Sequence, residues 1–416
     1  MSSSYPERTG LRGAVSRTLA VLATTAVPLG GAFAADTYWQ PQAEARVENN
    51  DNFNLIPGGS PDSDVYGYIA DLQALIGIAT PRSDTSLRPR IRIQEYPDRD
   101  DIEKVESFFD LLSLYKWERA QLRTTGRYSR QDSYNVDTVG GEFDPLDPDA
   151  PVDSDTGRVL TGETRTRVLI LPEFTFNATE RTQLGLAADY QAVRYDSDGV
   201  STQVDFDYYG GNGFVGWSLN PRSDVKVGAF VSTYEAQDDS VTTDAYGGSI
   251  GYEYRWSEIA GVAVEMFYEQ DDATRTLPVP SEDNTSGWGG NVSAYGQGEV
   301  SSWRVSAGRS YIPTGSGGKA QSDQFRLQYG RDITQRVRFT GAARYESRTG
   351  FTALTQADDR DFARADLALR WMMSTTWFLE GGYAYIWEDR ESASGDAVNN
   401  RLFVGVGYKG LDRQRR

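Results

Sequence analysis

Near the end of the chain Leu402, Val404, Val406 and Tyr408 alternate with Arg401, Phe403, Gly405 and Gly407. Successive side chains of a strand point to opposite faces, so this period-two spacing puts the apolar set on one side of a sheet. The pattern returns at Val168, Ile170, Pro172, Phe174 and Phe176, and again at Leu184, Leu186, Ala188 and Tyr190. Val225, Val227, Ala229 and Val231 follow it, as do Val262, Val264, Met266 and Tyr268. Val337, Phe339, Gly341, Ala343 and Tyr345 continue it, then Leu379, Gly381, Tyr383, Tyr385 and Trp387. The positions between are small or polar; in the run Arg336, Arg338, Thr340, Ala342, Arg344 and Glu346 most carry charge. A sandwich core needs bulky inward residues on short strands. Long strands with one apolar and one wet face fit a transmembrane β-barrel instead.

Connections alternate in length. Short turns fall at 80–84, 177–181, 220–224, 255–258, 330–334 and 373–376, and two of them share the letters Pro-Arg-Ser-Asp. Longer polar segments separate them: 49–63, 97–104, 131–163, 273–286, 312–321, 348–360 and 389–398. Short turns on one side and long loops on the other are the barrel arrangement. The resulting repeat, roughly 40 residues, also suits propeller blades, but a propeller strand is shorter and has no lipid-like outer face. Aromatic residues sort the same way. Trp117, Trp256, Trp303, Trp371 and Trp377 sit beside short turns, and Tyr66, Tyr190, Tyr268, Trp288, Tyr345, Tyr385 and Trp387 near long loops. Two such belts mark the two headgroup levels of a bilayer.

The fold expected is therefore all-β, an antiparallel up-and-down transmembrane barrel of about 18 strands, with 16 as the alternative. Strands are expected at 38–48, 64–79, 85–96, 105–117, 119–130, 164–177, 182–195, 203–218, 225–237, 243–255, 260–271, 287–298, 302–311, 322–330, 335–347, 361–372, 377–389 and 399–409. The segment 101–117 is the most ambiguous, because Ile102, Val105, Phe109 and Leu112 also fit helical spacing. Ahead of the barrel, residues 1–34 read as a secretory signal peptide: Arg8, Arg12 and Arg17, an apolar stretch 19–27, then Ala32-Phe33-Ala34 as the cleavage site. Residues 35–409 form the barrel and 410–416 a basic tail. No later stretch is long and apolar enough for a transmembrane helix.

Composition narrows the chemistry. The 416 residues include no histidine and no cysteine. A Ser-His-Asp triad, an imidazole base, an ordinary zinc site, a disulfide and an iron–sulfur cluster are all ruled out. A net charge of −18 argues against nucleic acid as a partner. A carboxylate-pair glycosidase stays formally open, but no pair stands out. No enzymatic activity, cofactor or metal is expected. The acidic segment 131–163, with Asp132, Asp137, Glu142, Asp144, Asp147, Asp149, Asp153 and Asp155, lacks the spacing of a defined calcium loop and reads as a solvated loop. It is also the longest candidate for a loop folded into the lumen.

If the apolar set faces lipid, the other parity lines the pore. Arg88, Arg90, Arg92, Arg119, Arg123 and Arg127 then form one basic ladder, and Arg304, Arg326, Arg336, Arg338, Arg344, Arg364 and Arg370 a second. Asp189, Asp205, Asp207, Glu253, Glu265 and Glu269 line the arc between them. Such arcs either pair across strands and stiffen the wall or set a transverse field that orients polar solutes, and the two roles can coexist. Inward Tyr209, Tyr234, Tyr295, Phe230 and Phe267 are wall filler or stacking platforms for sugar rings.

The segment Tyr38-Trp39-Gln40-Pro41 through Glu48-Asn49-Asn50-Asp51-Asn52-Phe53, together with the turns Pro81-Arg82-Ser83 and Pro221-Arg222-Ser223, resembles the EpsL-like group. These are β-barrel outer-membrane proteins encoded beside exopolysaccharide and capsule genes. The resemblance spans nearly all of 35–409 and implies an outer-membrane barrel of a Gram-negative cell that assists polysaccharide export or retention. It carries no catalytic residues. The chain departs from many barrels in its end, where Tyr408 is followed by a basic tail; Tyr408 is the expected assembly signal. The partners expected are outer-membrane lipid and lipopolysaccharide, the barrel assembly machinery, and polysaccharide or small polar solutes. Three functions are weighed: a porin-like transport barrel, a closed barrel retaining polymer through its loops, and an outer-membrane enzyme.

Overall fold

The computed structural model describes residues 35–58, 64–97, 99, 104–133, 163–197, 203–237, 240–276, 280–315, 317–351, 359–391 and 395–410. The expected signal peptide, most of the segment 131–163 and the tail beyond residue 410 lie outside them. Eighteen strands follow one another: β1 (Asp36–Asn50), β2 (Val65–Ala79), β3 (Ser83–Glu95), β4 (Val105–Lys116), β5 (Ala120–Asp132), β6 (Glu163–Asn177), β7 (Thr182–Ser197), β8 (Phe206–Asn220), β9 (Ser223–Ala236), β10 (Val241–Ser257), β11 (Ala260–Arg275), β12 (Ser281–Gln297), β13 (Ser301–Thr314), β14 (Gly318–Asp332), β15 (Val337–Gly350), β16 (Arg360–Met372), β17 (Trp377–Arg390) and β18 (Ala397–Lys409). Each pairs antiparallel with its sequence neighbours, and β18 pairs with β1, closing the sheet. A closed ring leaves no free edge strand, so each strand has a hydrogen-bonded neighbour on both sides. The ambiguous segment after residue 101 is strand from Val105 onward.

Residues directly opposite in an antiparallel pair share a face, so the register fixes which side chains look outward. Leu402, Val404 and Val406 are exposed on the outside, as are Ile76, Leu186, Val231, Ile250, Met266, Val292 and Leu369. An apolar exterior of this kind is the membrane-facing surface of a barrel. The two aromatic levels are present: Trp117, Trp256, Trp303, Trp371 and Trp377 stand outside beside the short turns, and Tyr66, Tyr268, Trp288, Tyr345 and Tyr385 outside toward the long loops. Trp377 packs edge-on against Tyr408, with ring centroids 5.3 Å apart.

Two expected loops are largely strand. β11 continues to Arg275 and β12 begins at Ser281, so most of 273–286 is paired wall; β13 and β14 likewise extend through most of 312–321. These extensions rise beyond the hydrocarbon, where both faces meet water and the alternation that marks a strand disappears. Ser281-Glu282-Asp283-Asn284-Thr285-Ser286 is polar on both parities.

Candidate functional site: the lumen

The inward faces form a nearly continuous basic arc from β13 through the closure to β6. On β3 to β5 the guanidinium of Arg88 donates to Asp110 at 3.1 Å, Arg90 to Asp71 at 2.7 Å, and Arg92 lies 3.7 Å from Glu106. Arg127 is 3.9 Å from Asp110 on its other side. Arg123 faces inward opposite Glu173. On β14 to β16, Arg326, Arg344 and Arg364 form a lateral row, each opposite the next. Arg364 makes a two-pronged contact with Asp366 at 2.6 and 2.7 Å, Arg344 lies 3.9 Å from Glu346, and Arg370 pairs with Glu380. Arg338 contacts Asp332 near the turn, at 3.2 Å. Across the seam Arg46 and Arg401 both approach Glu48, at 3.7 and 3.9 Å. The two expected ladders are thus one arc, joined by residues the sequence pattern did not single out.

The opposite wall is acidic. Asp189, Glu253, Glu265, Glu269 and Asp271 face inward on β7, β10 and β11. Four expected pore residues belong elsewhere; one is Arg119, exposed in the turn before β5. Asp207 stands opposite Ala192 on the outer face and holds Arg194 in a two-pronged contact at 2.9 Å. Asp205 precedes β8 and accepts the backbone N–H of Tyr195 at 2.8 Å. Arg336 is exposed in the turn before β15. Tyr209, expected inside, faces outward opposite Tyr190, with ring centroids 5.3 Å apart. Tyr234, Tyr295, Phe230 and Phe267 do face inward.

The lumen differs between its halves. Buried inward side chains concentrate toward the long loops: Arg165, Arg348, Glu106, Glu346 and Glu388 have almost no solvent exposure there. Toward the short turns a cavity of about 450 Å³ opens between β6 and β12, with Asp224, Glu253, Glu265, Lys226 and Arg255 in its wall.

Among the described residues, two chain segments narrow the loop-side half. After β1, Phe53 packs against Tyr96, centroids 5.0 Å apart, and Leu55 joins Phe362 and Ile386. Leu55 adopts φ +48°, a left-handed conformation costly for a branched side chain and held here by its burial. The Asn50-Asp51-Asn52 motif ties this segment to the last strand. Asn52 donates to the carbonyl of Val398 at 2.9 Å, and Asn400 donates its amide N–H and its side-chain NH₂ to the Asp51 carboxylate, each at 2.7 Å.

The second segment is the β13–β14 hairpin. β12 and β13 pair only between Gly290–Gln297 and Ser302–Arg309; beyond, the hairpin leans inward. Its tip reaches the far strands: Tyr234 donates to the carbonyl of Thr314 at 3.1 Å, and the N–H of Val204 to that of Gly315 at 2.6 Å. Lys319, almost wholly buried, sits between Glu269 and Asp271, 2.8 Å from the latter.

No family model matches the chain, and neither does any curated protein. Among solved structures it resembles Acinetobacter baumannii OccAB4, at 10% identity over 90% of this chain and 98% of that one, with TM-score 0.44. Pseudomonas aeruginosa OpdK, crystallised with vanillate, is 14% identical over 91% and 99%, also with TM-score 0.44. The ferric citrate transporter FecA is 9% identical over 89% and 78%, with TM-score 0.45. The architecture of this chain follows from its own strand pairing and closure.

Proposed function

We infer that this barrel sits in the outer membrane and passes polar solutes through its lumen, and that polysaccharide, or pieces of it, is among them. The observation that carries the reading is the wet, doubly charged cavity on the turn side. Its walls bear carboxylates and cations around about 450 Å³ of space, where a sealed barrel would be filled by packed side chains. Opposed charge arcs orient a polar solute and disfavour an apolar one. The EpsL-like resemblance of the Asn50-Asp51-Asn52 region favours a glycan as cargo. Purified protein inserted in planar bilayers should give discrete current steps; verified insertion without current overturns the channel reading.

A second reading, a barrel that retains polymer at the surface, draws on the buried polar side chains and the infolded hairpin of the loop-side half. It expects cells lacking residues 134–162 to lose polymer retention while the current stays unchanged.

A further inference from the structure

Between β12, β13 and β14 lies a second cavity, of about 300 Å³, whose lining differs from that of the larger one. Arg304 and Arg326 bring guanidinium groups, Asn291, Gln324 and Gln328 bring amides, and Ser306 brings a hydroxyl. None of the described residues lining it carries a carboxylate. Arg309 borders it too, but its side chain pairs with Asp323, 2.6 Å away on the outer face. The register makes the group compact. Ser306 stands opposite Arg326, Arg304 opposite Gln328, and Gly308 between Asn291 and Gln324. With strands about 4.8 Å apart and a rise of about 3.4 Å per residue, the patch measures roughly 10 by 14 Å, the footprint of one or two sugar rings.

Two features keep the recess open and its charge in place. A Cβ on Gly308 would lie 2.6 Å from the carbonyl oxygen of Gly290, so the close approach of β12 and β13 there leaves bare backbone as the floor. The Arg304 guanidinium lies over the Tyr295 ring, 5.6 Å from its centroid, against the wall. Glu265, directly opposite Asn291, marks where the acidic wall begins.

We propose that this recess is a binding subsite for a sugar acid, the two guanidinium groups taking its carboxylate and the amides and Ser306 its hydroxyls. Arginine matches a carboxylate with a planar, charge-assisted fork. Asn and Gln offer both donors and acceptors, as ring hydroxyls require. The inference rests on the lumen as a path for polar solutes and names the class of solute.

The test uses the full chain folded in detergent, titrated calorimetrically with glucuronate and separately with glucose, beside bilayer currents of the same protein with the same sugars. Glucuronate binds and interrupts the current, and glucose binds at least about ten-fold more weakly. The double variant Arg304→Gln/Arg326→Gln loses about ten-fold or more in glucuronate affinity, whereas Arg222→Gln, on a short turn, leaves it unchanged. Ser306→Trp fills the recess without altering its charge and abolishes binding. No glucuronate binding, equal binding of glucose, or undiminished binding in either the double variant or Ser306→Trp overturns the subsite. Binding without any current overturns the channel reading instead and leaves the subsite standing.

Discussion

At the tip of the β13–β14 hairpin one ammonium serves two carboxylates. Lys319, Glu269 and Asp271 are all buried, so removing the cation strands two like charges away from water. Breaking a buried ion pair from one side costs about 3–5 kcal/mol. Lys319→Met should therefore lower the unfolding free energy of the barrel, read from denaturant titration, by that order. Adding Glu269→Gln and Asp271→Asn should recover part of the loss. Asn52 holds the seam through neutral bonds. Its NH₂ donates to the carbonyls of Ile56 and Val398, and its side-chain oxygen accepts the Ile56 N–H. Asn52→Ala leaves those buried groups without partners, a loss of about 1–3 kcal/mol readable in the same unfolding experiment; a change near zero would show that water replaces the amide.

At the scale of a strand, parity decides tolerance. Val404 lies on the outer face of β18 about midway between the aromatic levels, and Val404→Arg should cost about 2–4 kcal/mol. Gln183→Arg, inward on β7, should stay within about 0.5 kcal/mol. Equal costs at the two sites would mean that the assigned faces are wrong. The same parity explains what the sequence disclosed. Runs such as Val225 to Val231 write their two faces into the order of residues, and all eighteen strands were legible at those places. Asp207 was misplaced because consecutive Tyr208 and Tyr209 give no alternation to fix the face. Arg336 was misplaced because the turn at 333–336 runs further than its polarity suggests. The inward lean of β13 and β14 could not be read locally, since it depends on Lys319 of β14 meeting residues on β11, three strands away in the wall. Replacing Thr314–Gly318 by a two-residue turn should widen the narrow half and raise single-channel conductance.

Over the whole molecule the basic arc and the acidic wall face each other across the lumen. Their field acts on an ion in the lumen only within the screening distance, about 10 Å at 0.1 M salt and about 3 Å at 1 M. Reversal potentials across a salt gradient should show charge selectivity near 0.1 M that fades toward 1 M. Arg338→Glu, which reverses a charge at the turn-side mouth, should shift the low-salt value toward cations. A selectivity that persists at 1 M would point to steric exclusion by the infolded hairpin as its source. The low mean hydropathy of the chain has the same origin as this field: half of each wall strand faces water inside the ring.

The asparagine clamp between Asp51 and Asn400 joins residues 349 positions apart, while every other strand pair in the ring joins sequence neighbours. Closing a loop of that length costs about 4 kcal/mol more entropy than closing a four-residue hairpin turn. The seam is therefore the one strand pair that no local turn can bring together. Asn50, Asp51, Asn52, Asn399 and Asn400 are a latch across that joint, fastening the two ends of the chain into one ring.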